Sequence, residues 1–219
     1  MNNEIRPKLR VFVEGQTEKN YFDELGKDLN INFYIEPIDM NGGGYHNFLL
    51  QVKKKGYLGC TAIFIIVDLD KLNDSGEKAN FNKLLEFCRV QNKNRNILPP
   101  YFLIGTRNDF EYFACSHSED YKNTNTDLYI TKVFKYKSVK DFKSDPRIYY
   151  FLNSNKRSYN IACDKLKKRA AYINNTPKVV KRNNGDIIIT NKKITIDENV
   201  ESVRNSNMYE LFNIIKGAC

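Results

Sequence analysis

Two stretches of this chain end buried-looking strands in carboxylates. Leu9-Arg10-Val11-Phe12-Val13 runs into Glu14-Gly15, and Ala62-Ile63-Phe64-Ile65-Ile66-Val67 runs into Asp68-Leu69-Asp70. Carboxylates gathered at strand ends repel one another, by roughly 4 kcal/mol per pair at about 4 Å and an intermediate dielectric. A hard divalent cation relieves that repulsion. Asp68 and Asp70 are two apart, so on a regular strand both side chains face one way and form one lip of a metal site. The structural alternative is that Asp after a strand simply starts a loop or caps a helix.

Glu14 depends for its position on a turn and a helix. Gly15 permits a sharp turn, and Gln16-Thr17-Glu18-Lys19-Asn20-Tyr21-Phe22 reads as a helix start with Thr17 as its cap. The first half then alternates as a parallel α/β sheet does. The predicted elements are strand Leu9–Val13, helix Thr17–Leu29, strand Asn32–Asp39, helix Tyr45–Lys55, strand Ala62–Val67, helix Glu77–Val90 and strand Tyr101–Gly105. In such a sheet the carboxyl ends of the strands share one edge, where ligands bind. Gly42-Gly43-Gly44 is either a phosphate cradle or a flexible turn, and it lacks the G-K-[ST] ending of a P-loop. After Ile104-Gly105-Thr106-Arg107, Asn108 or Asp109 is placed to cap an aromatic helix, with Glu111 in its first turn at the same edge. Glu111 then either joins the acidic site or complements the helix dipole.

Composition narrows the class. The 219 residues are 41% hydrophobic, enough for a substantial core, and 35 Lys and Arg against 26 Asp and Glu give a net charge of +9. That balance favours a polyanionic partner, although Lys- and Asn-rich composition alone also produces it. Five separated cysteines without a C-x-x-C pair indicate neither a zinc ribbon nor a disulfide framework, and fit a reducing, cytoplasmic setting. The opening Met1–Pro7 has no signal-peptide core, and no apolar run approaches membrane-spanning length, so no membrane partner is expected. With only His46 and His117 and no nucleophile elbow, a Ser-His-Asp mechanism is disfavoured.

Beyond Ser118 the pattern loosens, with a loop before Pro146. Ser158–Ile173 reads as a helix burying Cys163, Leu166, Ala170 and Ile173, with Lys165, Lys167, Lys168 and Arg169 on its other faces. Asn183–Asp186 and Thr190–Lys193 are turn-like, so a small β-hairpin pairing Ile187–Ile189 with Ile194–Ile196 fits. Glu198–Lys216 is a predicted helix on Val203, Met208, Leu211, Phe212 and Ile215.

Val13-Glu14-Gly15-Gln16-Thr17-Glu18-Lys19-Asn20-Tyr21-Phe22, then Val67-Asp68-Leu69-Asp70-Lys71, resembles the Toprim domain, specifically its small RloB-type branch. The third element of that branch appears as Phe110-Glu111-Tyr112-Phe113, ending at His117, with Phe113 where the branch has Trp. Thr106-Arg107-Asn108-Asp109-Phe110-Glu111 is also similar to a stretch of Toprim nucleases paired with ABC-type ATPases in phage defence. The resemblance covers roughly residues 8 to 117. It implies a Rossmann-like, mainly parallel sheet flanked by helices. Residues 1–118 would be the Toprim catalytic core and 119–219 a C-terminal α+β extension of helices and a small hairpin packing on it.

The resemblance further implies a Mg²⁺- or Mn²⁺-dependent nuclease acting on DNA or tRNA. Glu14 would be general acid/base or metal ligand, Asp68 and Asp70 metal ligands, and Glu111 a further ligand. An all-oxygen donor set matches Mg²⁺ rather than Zn²⁺. An antiphage role with a separately encoded ABC-type or AAA ATPase follows from the likeness alone, and a homo-oligomer stays open. Lys19, Lys71, Lys165, Lys168 and Arg169 are candidate phosphate contacts or ordinary surface charge. The competing class is a nucleic-acid-binding or regulatory module whose acidic site is structural or vestigial. A primase- or topoisomerase-like activity lacks support, since no tyrosine stands in a recognisable nucleophile context.

Overall fold

The computed structural model describes residues 6–28, 31–55, 59–93, 99–107, 109–182, 186–200 and 204–217. The expected cap Asn108, helix end Leu29, turn residues 183–185 and Val203 lie outside them. Strands β1 (Lys8–Val13), β2 (Tyr34–Asp39), β3 (Ala62–Asp68) and β4 (Tyr101–Thr106) form one all-parallel sheet in the order β2-β1-β3-β4. Helices α1 (Gln16–Leu25), α2 (Gly44–Lys55) and α3 (Ser75–Lys93) make the crossovers. The protein is therefore the α/β class expected.

Strand parity divides the core. Leu9, Val11, Val13, Ala62, Phe64, Ile66, Phe102 and Ile104 face the cluster containing α1, while Phe12, Ile63, Ile65, Val67, Tyr101 and Leu103 face the one containing α2 and α3. Both faces are covered, which is why these strands read as continuous apolar runs. The chain turns from β1 to β2 on one side and reaches β3 on the other, so the order reverses between β1 and β3. A crevice at the carboxyl ends of those strands is the default ligand position in an open α/β sheet.

The second half is better ordered than its sequence suggests. Short helices α4 (Asp109–Ser116), α5 (Thr126–Lys132), α6 (Val139–Lys143), α7 (Ile148–Leu152) and α8 (Tyr159–Lys167) share one core cluster with α1, on which α7 packs directly. Asn125, Ser138 and Ser158 cap α5, α6 and α8, accepting from Leu128, Asp141 and Ile161 N–H groups. Tyr21 stands edge-on to Phe22, Phe110, Phe113 and Tyr149 at their centre. The predicted helix Ser158–Ile173 stops at Lys167. Ile173 instead opens β5 (Ile173–Lys181), paired antiparallel with β6 (Ile187–Ile196).

The expected hairpin is thus corrected. Thr190–Lys193 lies inside one continuous strand, because the Asn191 side chain is buried and donates to Tyr101 and Asn175 oxygens instead of making a turn. Likewise, Glu198–Lys216 is not one helix: α9 spans only Tyr209–Gly217, since Asn205, Ser206 and Asn207 run extended along the end of β4. Asparagine side chains close that sheet edge. Asn92 takes both polar groups of Tyr101, Asn175 both of Leu103, and Asn207 donates to Leu103 O while accepting from Gly105 N–H. An edge strand's exposed backbone is thereby satisfied without another strand.

Candidate active site

Parity puts Asp68, the last residue of β3, on the face that packs α1 and α4. Glu14, just past β1, is its neighbour: Glu14 Oε2 accepts from Asp68 N–H at 3.4 Å. Tyr45 Oη donates to Asp68 O at 2.6 Å, which pins the strand end from the opposite side. Burial, then Asp70, Glu14 and Asp68, pushes the Tyr45 phenol far above its ordinary value, so it stays a donor.

Asp70 does not share the Asp68 lip. Leu69, with φ −97° and ψ 7°, leaves the extended conformation, and Asp70 starts a 3-10 turn at the exposed rim. Strand alternation does not reach Asp70 because β3 ends at Asp68. Thr17 is also not the cap expected. Gly15 occupies that position without a side-chain bond, and the Thr17 hydroxyl donates to Lys143 O at 3.0 Å.

Glu18, four residues beyond Glu14, was not among the expected ligands. It is 7% exposed in the first turn of α1, and its carboxylate accepts from its own backbone N–H. Burial first, then Glu111 and Glu14, pushes it up to about 8. The sequence carried a signal: Glu18, Tyr21, Phe22 and Leu25 form one buried helical stripe. Glu111, 2% exposed in α4, completes the ring, and the left-handed Asp109 (φ 69°) begins that helix beside it.

These groups share one field. Asp68 is raised well above the usual carboxylate range by burial first, then by Glu14, Glu18, Asp109 and Glu111. Asp109 is raised by burial and by Glu111 next to it. Asp109 Oδ1 and Glu111 Oε2 are buried without a hydrogen-bond partner. Two lysines offset the charge. Lys71 Nζ lies 3.0 Å from Glu14 Oε1, and Lys143 Nζ, from α6, lies 2.9 Å from Glu111 Oε1. Burial alone would lower the Lys143 ammonium, but Glu111 holds it above its ordinary value.

The donor set is all oxygen, and its orphaned oxygens suit a hard dication. As placed, however, no group of three or more His, Cys, Asp or Glu among the described residues is gathered closely enough to hold an ion. The other candidates have separate places. Lys19 pairs with Asp23, and Lys165 donates to three carbonyls, of Ser118, Glu119 and Tyr121. Lys168 is exposed and Arg169 reaches Arg204 O. At Gly42–Gly44 the anion position is already filled: Glu77 Oε2 accepts from Tyr45 N–H at the start of α2. His117 is a core residue. The Phe113 carbonyl can only accept, so Nδ1 carries the proton and Nε2 accepts from Tyr21 Oη at 2.9 Å.

No helix among the described residues is long and apolar enough to cross a membrane. Comparisons with protein-family models, with curated proteins and with solved structures return no match.

Proposed function

We propose that this chain is a divalent-metal-dependent nuclease that hydrolyses phosphodiester bonds in DNA or tRNA, with the acidic edge as its active site. The observation that carries the reading is the buried Asp109–Glu111 carboxyl pair, whose Oδ1 and Oε2 meet no donor group from elsewhere in the described residues, beside Glu18 and Asp68. Asp68, Glu18 and Asp109, whose burial raises their affinity for protons, are in a crevice the kind of carboxyl that is a candidate for function. Asp68, Glu18, Asp109 and Glu111 would hold Mg²⁺ or Mn²⁺ only by closing further about it than they stand here, with Asp70 at the rim. Such an ion supplies an activated water and relief of phosphate charge.

The chain's own groups do the rest. Glu14, which pairs with Lys71 and accepts from the Asp68 N–H, would take and return a proton. Lys71 and Lys143 offset the negative charge that a phosphate brings to this edge. The sequence resemblance adds an antiphage role with a partner ATPase to the proposal.

The Lys71 and Lys143 ion pairs favour a second reading, a nucleic-acid-binding module whose acids are neutralised by the fold itself. Plasmid, single-stranded DNA and total tRNA, each incubated with Mg²⁺ or Mn²⁺, separate the two. The nuclease reading expects cleavage by the wild type, its loss in Glu14→Ala and Asp68→Asn, and a metal-dependent rise in Tm. Undiminished cleavage in both variants sinks the site. No Tm shift at millimolar metal, together with salt-sensitive binding, selects the module.

A further inference from the structure

On the far flank of α4 from the acidic edge is a cavity of about 600 Å³, within the range of small-molecule sites. Tyr112, adjacent to Glu111 in the chain, and Tyr121 form its inner wall, with Val200 and Ala170 as further apolar lining. Ser116, Asn123 and Asn199 add polar groups, Lys165, Lys168 and Arg169 add the charge, and no carboxylate among the described residues lines it.

Its positive charge is fixed without an ion pair among the described residues. The Lys165 ammonium is held by three backbone carbonyls at 2.6, 2.8 and 2.8 Å. Arg204, behind the wall, reaches the Tyr121 hydroxyl and the Asn123 and Thr124 carbonyls. Arg169 and Arg204 are the charges that act on the Tyr112 phenol. None of these four cations appears in an ion pair among the described residues. The carboxylates nearest Lys165, those of Asp120 and Glu119, belong to exposed residues outside the cavity. Backbone dipoles orient an ammonium or guanidinium, but they leave its full charge to act on whatever enters.

We propose that this cavity binds a nucleoside phosphate, its ring against the tyrosine and aliphatic wall and its phosphate at Lys168 and Arg169. An uncompensated basic mouth selects an anion, and an apolar aromatic interior selects a planar ring on that anion. Inorganic phosphate satisfies only the first. The nucleotide is either free or part of a single strand. The strand source rests on the nuclease reading, because α4 would then carry the scissile edge on one flank and a neighbouring nucleotide on the other. The free source does not depend on it.

Isothermal titration of the full chain in EDTA tests the assignment, with AMP, a 5′-phosphorylated single-stranded tetranucleotide and inorganic phosphate as probes. AMP or the tetranucleotide should bind at least about tenfold more tightly than inorganic phosphate, and Lys168→Glu/Arg169→Glu should weaken that binding by about tenfold or more. Ala170→Trp, which fills the cavity without changing charge, should abolish it. Binding of AMP identifies a free-nucleotide site, and binding of the tetranucleotide alone identifies a strand site. Absence of binding by both, equal affinity for phosphate, or indifference to both variants overturns the assignment. Chelator silences metal-dependent cleavage, so a negative result here leaves the nuclease reading standing, and loss of that reading leaves the AMP result intact.

Discussion

Replacing Glu18 by Gln should change stability in a way that depends on pH, and the dependence follows from the burial of this carboxyl. Below about pH 4 folded and unfolded chains both carry the proton. As pH rises the unfolded chain releases it first, so the native state loses stability until the folded group also ionises. With an ordinary value of 4.5 and a folded value of about 8, linkage gives a loss of roughly 1 kcal/mol at pH 5 and roughly 4 kcal/mol at pH 8. Glutamine fills the same space and does not titrate. Whatever constant offset its amide introduces, the stability of Glu18→Gln minus wild type should therefore rise by roughly 3 kcal/mol across that interval. Urea unfolding in EDTA at several pH values measures it. A difference that is flat, or that falls with pH, refutes the electrostatic reading of this edge. On the proposed function, millimolar Mg²⁺ should then stabilise the wild type at pH 8 more than the variant, because a bound dication removes the penalty that glutamine had removed already.

Tyr21→Phe takes the donor from His117 Nε2 and should cost about 1–3 kcal/mol, read by urea unfolding at neutral pH. Burial lowers the His117 imidazole from 6.5 to about 4, so its contribution is complete above about 6.5 and is lost as pH falls through about 4. Replacing His117 by Gln should therefore flatten the acid limb of a stability profile between those values. Lys143→Ala leaves the buried Glu111 carboxylate without its cation and should destabilise by about 1–3 kcal/mol at pH 7, with added divalent metal restoring part of the loss in a Tm measurement. Gly44→Ala adds a Cβ 2.6 Å from Glu77 Oε2 at a backbone φ of +67°, so a drop in stability of about 1–3 kcal/mol is expected by thermal unfolding.

The parallel sheet was legible because each strand is an uninterrupted apolar run and each crossover carries a helical stripe. Glu14, Asp68 and Glu111 were legible for the same reason, since strand ends and helix starts in a parallel sheet fall at one edge. Asp70 was misplaced by assuming that the strand outlasted Asp68. Glu18 was overlooked although it continues the stripe of Tyr21, Phe22 and Leu25, because a charged residue in the first turn is ordinarily solvated. The second half resisted reading for a different reason. Its asparagines do not mark turns; Asn191 and Asn207 are buried, Asn175 is half-buried, and all three bond β4, a partnership separated by 72 to 104 residues in the chain. Lys143 is 143 − 111 = 32 residues from Glu111, and local patterning has no access to such pairs.

The electrostatics of the edge are asymmetric, and the asymmetry bears on function. Its acids are held by the fold: the Glu111 side chain is 3% exposed, and Asp68 is pinned through its N–H and its carbonyl. Its cations are on long flexible stems with side chains 43% and 49% exposed at Lys71 and Lys143. A site meant only to neutralise buried acids does not need the compensating charge on its solvated side, where salt screens it. On the proposed function, a site that exchanges its cation for another would use that division, with acids fixed by the fold and ammonium groups able to withdraw and meet phosphate oxygens. On the proposed function, the segment that delivers Lys143 would be part of the active edge, joined to it through the Thr17–Lys143 bond as well as the ion pair.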